Sequence, residues 1–197
     1  MRRLIAARHA ETALNVTGVL NGDPSLEVGL TDEGRAQAQR LGEAAGLVDL
    51  VSHSAFGRAR ETAALAWPGA QTLEVPELNE FRYGSFEGTR WSDGFADWTQ
   101  ASGPFVECPG GGESRVAAVA RYVRGFRIVA ARPEERIALV AHGAHVACLL
   151  LAREGRAPGP VLEQIPFATG FDLTLGELVR AIDVLEAWVA SPAFEAH

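Results

Sequence analysis

The 197-residue chain contains no lysine: all 18 of its basic residues are arginine. That absence removes a phosphate-loop lysine, a Schiff-base lysine and a lysine general base together. Cysteine is almost missing too. Cys108 and Cys148 are too few for a disulfide framework or a thiolate metal site, and Cys148, inside an apolar run, reads as core. No apolar stretch approaches the length of a membrane span. The apolar segment behind Arg2-Arg3 is far too short for a signal peptide, so a cytoplasmic protein is expected. A net charge of −7 argues against nucleic acid or an anionic membrane surface as partner. Converging arginines can still hold an anion, because the guanidinium fork suits planar, bidentate recognition of phosphate.

What is present alternates strand and helix. Leu4 to Ala7 is a short apolar run that reads as a buried parallel strand and stops at Arg8-His9. Asn15 to Gly29, rich in Gly, Asn, Asp and Pro, reads as an irregular loop. Thr31 then caps a helix that ends near Gly46. Leu47 to Ser52 predicts a second strand, Ser54 to about Trp67 a helix and Gln71 to Val75 a third strand. From Phe81 to Gly112 the patterning weakens to aromatics and glycines, with one helical stretch around Trp91 to Trp98; this is read as an excursion over one face of the sheet. A long helix follows over 114–131, and Arg136 to Ala141 is the clearest strand, delivering His142-Gly143 and a helix over 144–153. In the tail, Val161–Phe167 and Gly170–Leu175 are read as a hairpin near a sheet edge, and Leu178–Trp188 fits either strand or helix. With 47% hydrophobic residues, no repeats and no linker, residues 1–197 are read as one α/β domain. Its sheet is mostly parallel with helices on both faces.

The ends of the four parallel strands carry the chemistry. They lead to Arg8-His9, Arg58, Glu80 and His142, and parallel strand ends all point the same way, into one crevice. Two histidines and a carboxylate could bind zinc, but the two arginines beside them repel a metal and suit an anion. The set fits a phosphoryl group: an imidazole nucleophile, cationic clamps on the equatorial oxygens and an acid for the leaving oxygen.

Arg8-His9-Ala10-Glu11-Thr12-x-x-Asn15 resembles the Arg-His-Gly-Glu-Thr/Ser-x-x-Asn signature of the histidine phosphatase superfamily, which includes the cofactor-dependent phosphoglycerate mutases. Leu30-Thr31-Asp32-Glu33-Gly34, Ser54 to Ala63, Leu78-Asn79-Glu80 with Gly84 and Glu87-Gly88, Gly111-Gly112-Glu113-Ser114 and Val140-Ala141-His142-Gly143 resemble its later motifs, in the family's order. Ala10, Ala55, Glu61 and Ala144 depart from the usual glycine, proline, glutamine and glycine, and an alanine at position 10 needs a negative φ.

The resemblance implies a phosphohistidine formed on His9, charge stabilisation by Arg8, Arg58 and His142, and further phosphate contacts from Asn15 and Gly143. Glu80 is the implied proton donor, with Glu77 and Glu87 as nearby alternatives. No metal and no cofactor are expected, and the partner is a small-molecule phosphomonoester. Arg82, Trp91 and Ser114 are candidates for the substrate pocket, although Trp91, Phe95 and Trp98 are spaced first of all like the apolar face of a cap helix. His53, His145 and His197 read as structural. Three functions stay open: a phosphomonoester hydrolase, a phosphoglycerate mutase and a catalytically silent phospho-ligand binder. The hydrolase is preferred, because an acidic excursion whose basic side chains are Arg82 and Arg90 suits a monophosphate on an uncharged or apolar group.

Overall fold

The computed structural model describes residues 2–194. Strands β1 (Arg3–Arg8), β2 (Leu50–His53), β3 (Gln71–Glu74), β4 (Arg136–Ala141) and β5 (Gly170–Thr174) form one sheet in the order β3-β2-β4-β1-β5. The first four pair in parallel, and β5 runs antiparallel against β1. Around them lie α1 (Ala13–Thr17), α2 (Asp32–Ala45), α3 (Gly57–Ala66), α4 (Ala96–Ala101), α5 (Arg115–Ala130), α6 (Gly143–Arg153) and α7 (Leu175–Ala190). Among the described residues, no helix is long and apolar enough to cross a membrane.

The period-2 alternation of the strands assigns the two faces. Leu4, Ala6, Leu139 and Ala141 pack with Tyr122 and Phe126 of α5, Leu149 of α6 and Ile182 and Leu185 of α7. Ala7, Val51, Ala138 and Val140 point the other way, onto Leu41 of α2 and Ala59, Ala63 and Ala66 of α3. Since β1 and β4 are covered on both faces, each reads as a continuous apolar run. Helix α2 begins where expected: the Thr31 hydroxyl accepts from the Gly34 amide at 2.9 Å. A Cβ on Gly34 would stand 2.1 Å from the Glu11 carbonyl oxygen, so only glycine lets α2 press against the turn that follows His9.

Three readings of the chain change. The loop from Asn15 is entered through a short helix, α1, whose Thr12 cap and Asn15 side chain hold each other's backbone amides. Among the described residues, no hairpin forms between 161–167 and 170–175. Residues 161–167 make only an isolated parallel bridge, Phe167 to Arg8, while Gly170–Thr174 pairs with β1 instead of with its own neighbour. The ambiguous stretch after it is helix: Thr174 and Glu177 form a reciprocal capping box that starts α7. His197 lies outside the described residues.

The excursion from Phe81 turns at Gly84–Phe86 and Trp91–Phe95 before α4. Phe81, Tyr83, Phe86 and Trp98 all pack around Phe95, with ring centroids 5.0 to 5.9 Å from it. This aromatic cluster gives a segment of weak secondary structure a core of its own.

Candidate active site

His9 sits one residue past β1, where the parallel ladder ends with its amide on the Ala141 carbonyl. The ring is 2% exposed. Its Nδ1 lies 2.8 Å from the carbonyl oxygen of Ala10, an arrangement that fixes the proton on Nδ1 and leaves Nε2 with the lone pair. Arg58 donates its Nε–H to that Nε2 at 3.1 Å. Burial first, then Arg58 and Arg8, push the His9 pKa well below the ordinary imidazole value, so the ring is neutral. Ala10 is buried, its amide donates to Thr62 at 2.9 Å, and it is not among the residues with positive φ, so alanine in place of glycine costs no strain here.

Arg58, on the first turn of α3, is 5% exposed and held on several sides. Beyond His9 it donates to Asn21 twice, to Oδ1 at 2.5 Å and to the carbonyl at 3.0 Å, and it lies 4.2 Å above the Phe56 ring. Asn21 is in turn held by Glu87, which accepts from the Gly22 amide at 2.8 Å and from Asn21 Nδ2 at 3.3 Å. Glu87 is thereby committed to the loop that orients Arg58, which removes it as an alternative proton donor.

His142 ends β4 and is wholly buried. Its Nε2 is 2.9 Å from the Ser54 hydroxyl, and its Nδ1 faces Arg58 Nη2 at 3.3 Å and Glu80 Oε2 at 3.6 Å. Burial and the neighbouring cations hold its pKa well below the ordinary value, so the contact with Glu80 is not an ion pair. The ring does not form part of the cavity wall. It lies behind Arg58 and Glu80, both of which do. His142 thus contacts both the Arg58 and the Glu80 side chains.

Glu80 lies in the segment after β3, with its side chain 14% exposed. Burial raises its pKa above the usual carboxylate range, against the opposing pull of Arg58, the Phe81 amide, Arg8 and Arg121. That amide donates to Oε1 at 2.9 Å. Glu77, the other alternative, does not line the cavity, and its carbonyl instead accepts from Arg121.

Arg8 completes the cluster. It donates to the Ile165 carbonyl at 2.8 Å and stacks 3.9 Å from the Phe167 ring centroid. A Cβ on Gly143 would meet Arg8 side-chain atoms 3.7 Å away, so the first turn of α6 approaches this guanidinium closely. No side chain caps the helix start, and Gly143 and Ala144 line the cavity there. An uncapped helix N-terminus beside a guanidinium is a place for an anion. Asn15 lines the cavity as well. Its Oδ1 is committed to the Thr12 amide and hydroxyl, which leaves the amide nitrogen as its free donor.

Two expected pocket residues lie elsewhere. Arg82 is 65% exposed and pairs with Glu113, while the Ser114 hydroxyl accepts from Ala117 as the cap of α5. Neither lines the cavity, and Trp91 does. Asn21, Tyr83 and Phe167 are site residues that sequence reasoning passed over. They sit in stretches without periodicity, and only the fold shows that they face the cluster. Among the described residues, no group of three His, Cys, Asp or Glu side chains is placed to hold a metal.

An arginine-rich site at the ends of parallel strands, with a neutral histidine at its floor, defines the class. The chain belongs to the histidine phosphatase superfamily (branch 1), which residues 4–166 match. A 2,3-bisphosphoglycerate-dependent phosphoglycerate mutase of Brucella melitensis is 32% identical, over 83% of this chain and 86% of its own. The alpha-ribazole phosphatase of Shigella flexneri superposes with a TM-score of 0.69 at 26% identity, over 86% of this chain and 89% of its own. A Thermus thermophilus protein superposes with a TM-score of 0.66 at 31% identity, over 87% of this chain and 92% of its own.

Proposed function

We propose that this chain is a phosphomonoester hydrolase that works through a phosphohistidine on His9. The observation that carries the reading is the Nε2 lone pair of a neutral, tautomer-fixed His9 beside Arg8 and Arg58. Nε2 attacks phosphorus, the N–P bond forms, and the ester P–O bond breaks with its electron pair on the leaving oxygen. Glu80, its pKa raised by burial, gives that oxygen its proton. Water then attacks the phosphohistidine, Glu80 takes a proton back, and the N–P bond breaks to release phosphate and restore Nε2. Arg8, Arg58, the start of α6 and Asn15 stabilise charge on the transferring oxygens throughout, with His142 supporting Arg58 and Glu80 from behind.

Identity to a mutase favours a second reading, in which the phosphoryl group returns to the substrate. The excursion speaks against it. Arg82 and Arg90 do not line the cavity, so they offer nothing to the second phosphate of a bisphosphate. A silent binder is disfavoured by the presence of every group the two steps need.

Rapid-quench mass spectrometry during turnover tests the proposal. Phosphate label is expected on His9, acid-labile and base-stable as a phosphoramidate is, with the rate unchanged by excess EDTA. Label on another residue, or full activity in His9→Ala, overturns it.

A further inference from the structure

The cavity, about 520 Å³, is much larger than a phosphoryl group needs. Beyond Arg8, Arg58 and the start of α6 its wall changes character. Trp91, Phe95 and Trp98 enter it from the excursion, and Trp188 and Phe194 from the C-terminal segment. Trp188 and Phe194 stack with centroids 6.0 Å apart and lie beyond residues 4–166, so this wall is built by a part of the chain outside the family match.

Among the described residues, the third arginine of the wall is Arg115; both of its terminal nitrogens are engaged, and its Nε is buried without a partner. Its Nη1 donates to the carbonyls of Thr99 at 2.6 Å and Pro160 at 3.1 Å, and its Nη2 donates to the carbonyl and hydroxyl of Ser102. The guanidinium lies 4.9 Å from the Trp98 ring centroid and 4.7 Å from that of Phe194. Arg115 therefore ties α4, the 158–162 stretch and the C-terminal segment into one wall and presents aromatic faces to the cavity. Glu163, which also lines it, adds a carboxylate that repels a second anion.

We infer that the cavity selects monophosphates of uncharged alcohols with a bulky apolar body, seated against Trp98, Trp188 and Phe194. This rests on the hydrolase reading for the phosphate end and on the cavity wall for the rest. A phosphate at the cationic end leaves the alcohol facing the rings of Trp91, Trp98, Trp188 and Phe194 alongside the polar side chains of Thr99, Glu163 and Gln164, and burial against the rings is favourable in proportion to apolar area. A hydroxy acid there would bring a second anion beside the Glu163 carboxylate.

Ethyl, n-butyl and 2-phenylethyl phosphate test this, because their leaving alcohols are similar in acidity and differ in apolar area. Each buried methylene is worth about fourfold in kcat/KM, and ethyl to 2-phenylethyl is expected to span more than about a hundredfold. 3-Phosphoglycerate is expected at or below ethyl phosphate. Trp98→Ala and Phe194→Ala are each expected to lower the 2-phenylethyl-to-ethyl ratio about tenfold. Phe194 lies past the last helix, so its removal leaves the sheet intact even if the cap variant folds poorly. A flat series, a ratio unmoved in both variants or a preference for 3-phosphoglycerate overturns the inference. Calorimetry with ethylphosphonate and 2-phenylethylphosphonate separates the two claims. Tight binding of the larger phosphonate without turnover of any ester leaves the cavity inference standing and removes the hydrolase, while equal affinities remove the cavity inference itself.

Discussion

Arg121 donates to the carbonyl oxygen of Asn79 across 2.6 Å, from the middle of α5 to the residue just before the acid. The same guanidinium donates to the carbonyls of Glu77 at 2.9 Å and Glu80 at 3.2 Å and pairs with Glu113, whose side chain is 2% exposed. Three neighbouring carbonyls and a buried carboxylate thus converge on one side chain, and the backbone that carries Glu80 is pinned from behind. Lysine cannot reproduce that fork. Arg121→Lys is expected to fold and to slow alkyl phosphates about tenfold more than aryl phosphates, since a displaced Glu80 loses its effect as a general acid first. Arg121→Met leaves Glu113 buried without its partner and is expected to cost about 3–5 kcal/mol of stability. Equal loss on both ester classes in Arg121→Lys would assign Arg121 to the fold alone.

The pH profile is set by two groups displaced in opposite directions. His9 attacks only when neutral, and its lowered pKa keeps it so well below the ordinary value of about 6.5. Glu80 donates only when protonated, and its raised pKa extends that state upward. The kcat/KM of alkyl phosphates is therefore expected to peak on the acid side of neutrality, falling below the peak as His9 protonates and above it as Glu80 ionises. Aryl phosphates, whose oxygen departs with less need of a proton, are expected to lose the alkaline fall. Glu80→Gln is expected to slow alkyl esters roughly 10²- to 10⁴-fold and aryl esters far less. An identical profile for both ester classes would mean that Glu80 positions rather than protonates.

His145 is wholly buried on α6, 3.6 Å between centroids from the Tyr122 ring, and neither of its nitrogens finds a hydrogen-bond partner among the described residues. Burial, then Arg121, holds its pKa well below the usual value. The unfolded chain binds a proton at about pH 6.5 that the folded one refuses, so the neutral ring contributes its full stability above that pH. The contribution is lost as pH falls below it. His145→Leu removes both the unpaired polar atoms and the titration. It is expected to raise stability by about 1 kcal/mol at pH 8 and by more at pH 5, read by thermal unfolding at the two pH values. A lower melting temperature at both would show that the ring's packing against Tyr122 outweighs its unpaired nitrogens.

The strands and the residues at their ends were legible because burial on both faces forces continuous apolar runs, and the chemistry begins where those runs stop. Arg8, His9, Arg58, Glu80 and His142 are all found from that pattern, and the structure brings them together. The depth of His142 was not legible, since sequence places a residue at a strand end without saying what will cover it. Arg82 and Ser114 were misplaced for a related reason: both flank the excursion, and whether a flanking side chain turns inward depends on partners, here Glu113 and the Ala117 amide. Asn21, Arg115 and Phe194 act through contacts between distant segments and leave no local periodicity. The stretch Leu178–Trp188 stayed open between strand and helix because its dense apolar run fits both, and it is the Thr174–Glu177 capping box that starts α7.

A mutase and a hydrolase can share this cationic site, so the difference lies in what holds the rest of the substrate. A mutase has to bind a bisphosphate, keep water from the phosphohistidine and let the monophosphate reorient without leaving. Each task calls for cations beyond the first phosphate site and for closure around a small charged molecule. Here the guanidinium at the far end of the cavity, Arg115, has both terminal nitrogens engaged by the carbonyls of Thr99, Ser102 and Pro160, and aromatic rings stand beside it. The glycerate carboxylate and the second phosphate would both lie near the Glu163 carboxylate and find the terminal nitrogens of Arg115 already engaged. Offered 3-phosphoglycerate with 2,3-bisphosphoglycerate, the protein is expected to release phosphate slowly and to form less 2-phosphoglycerate than phosphate. Following both products in one reaction checks this, and isomerisation that outruns phosphate release would move the chain to the mutase reading.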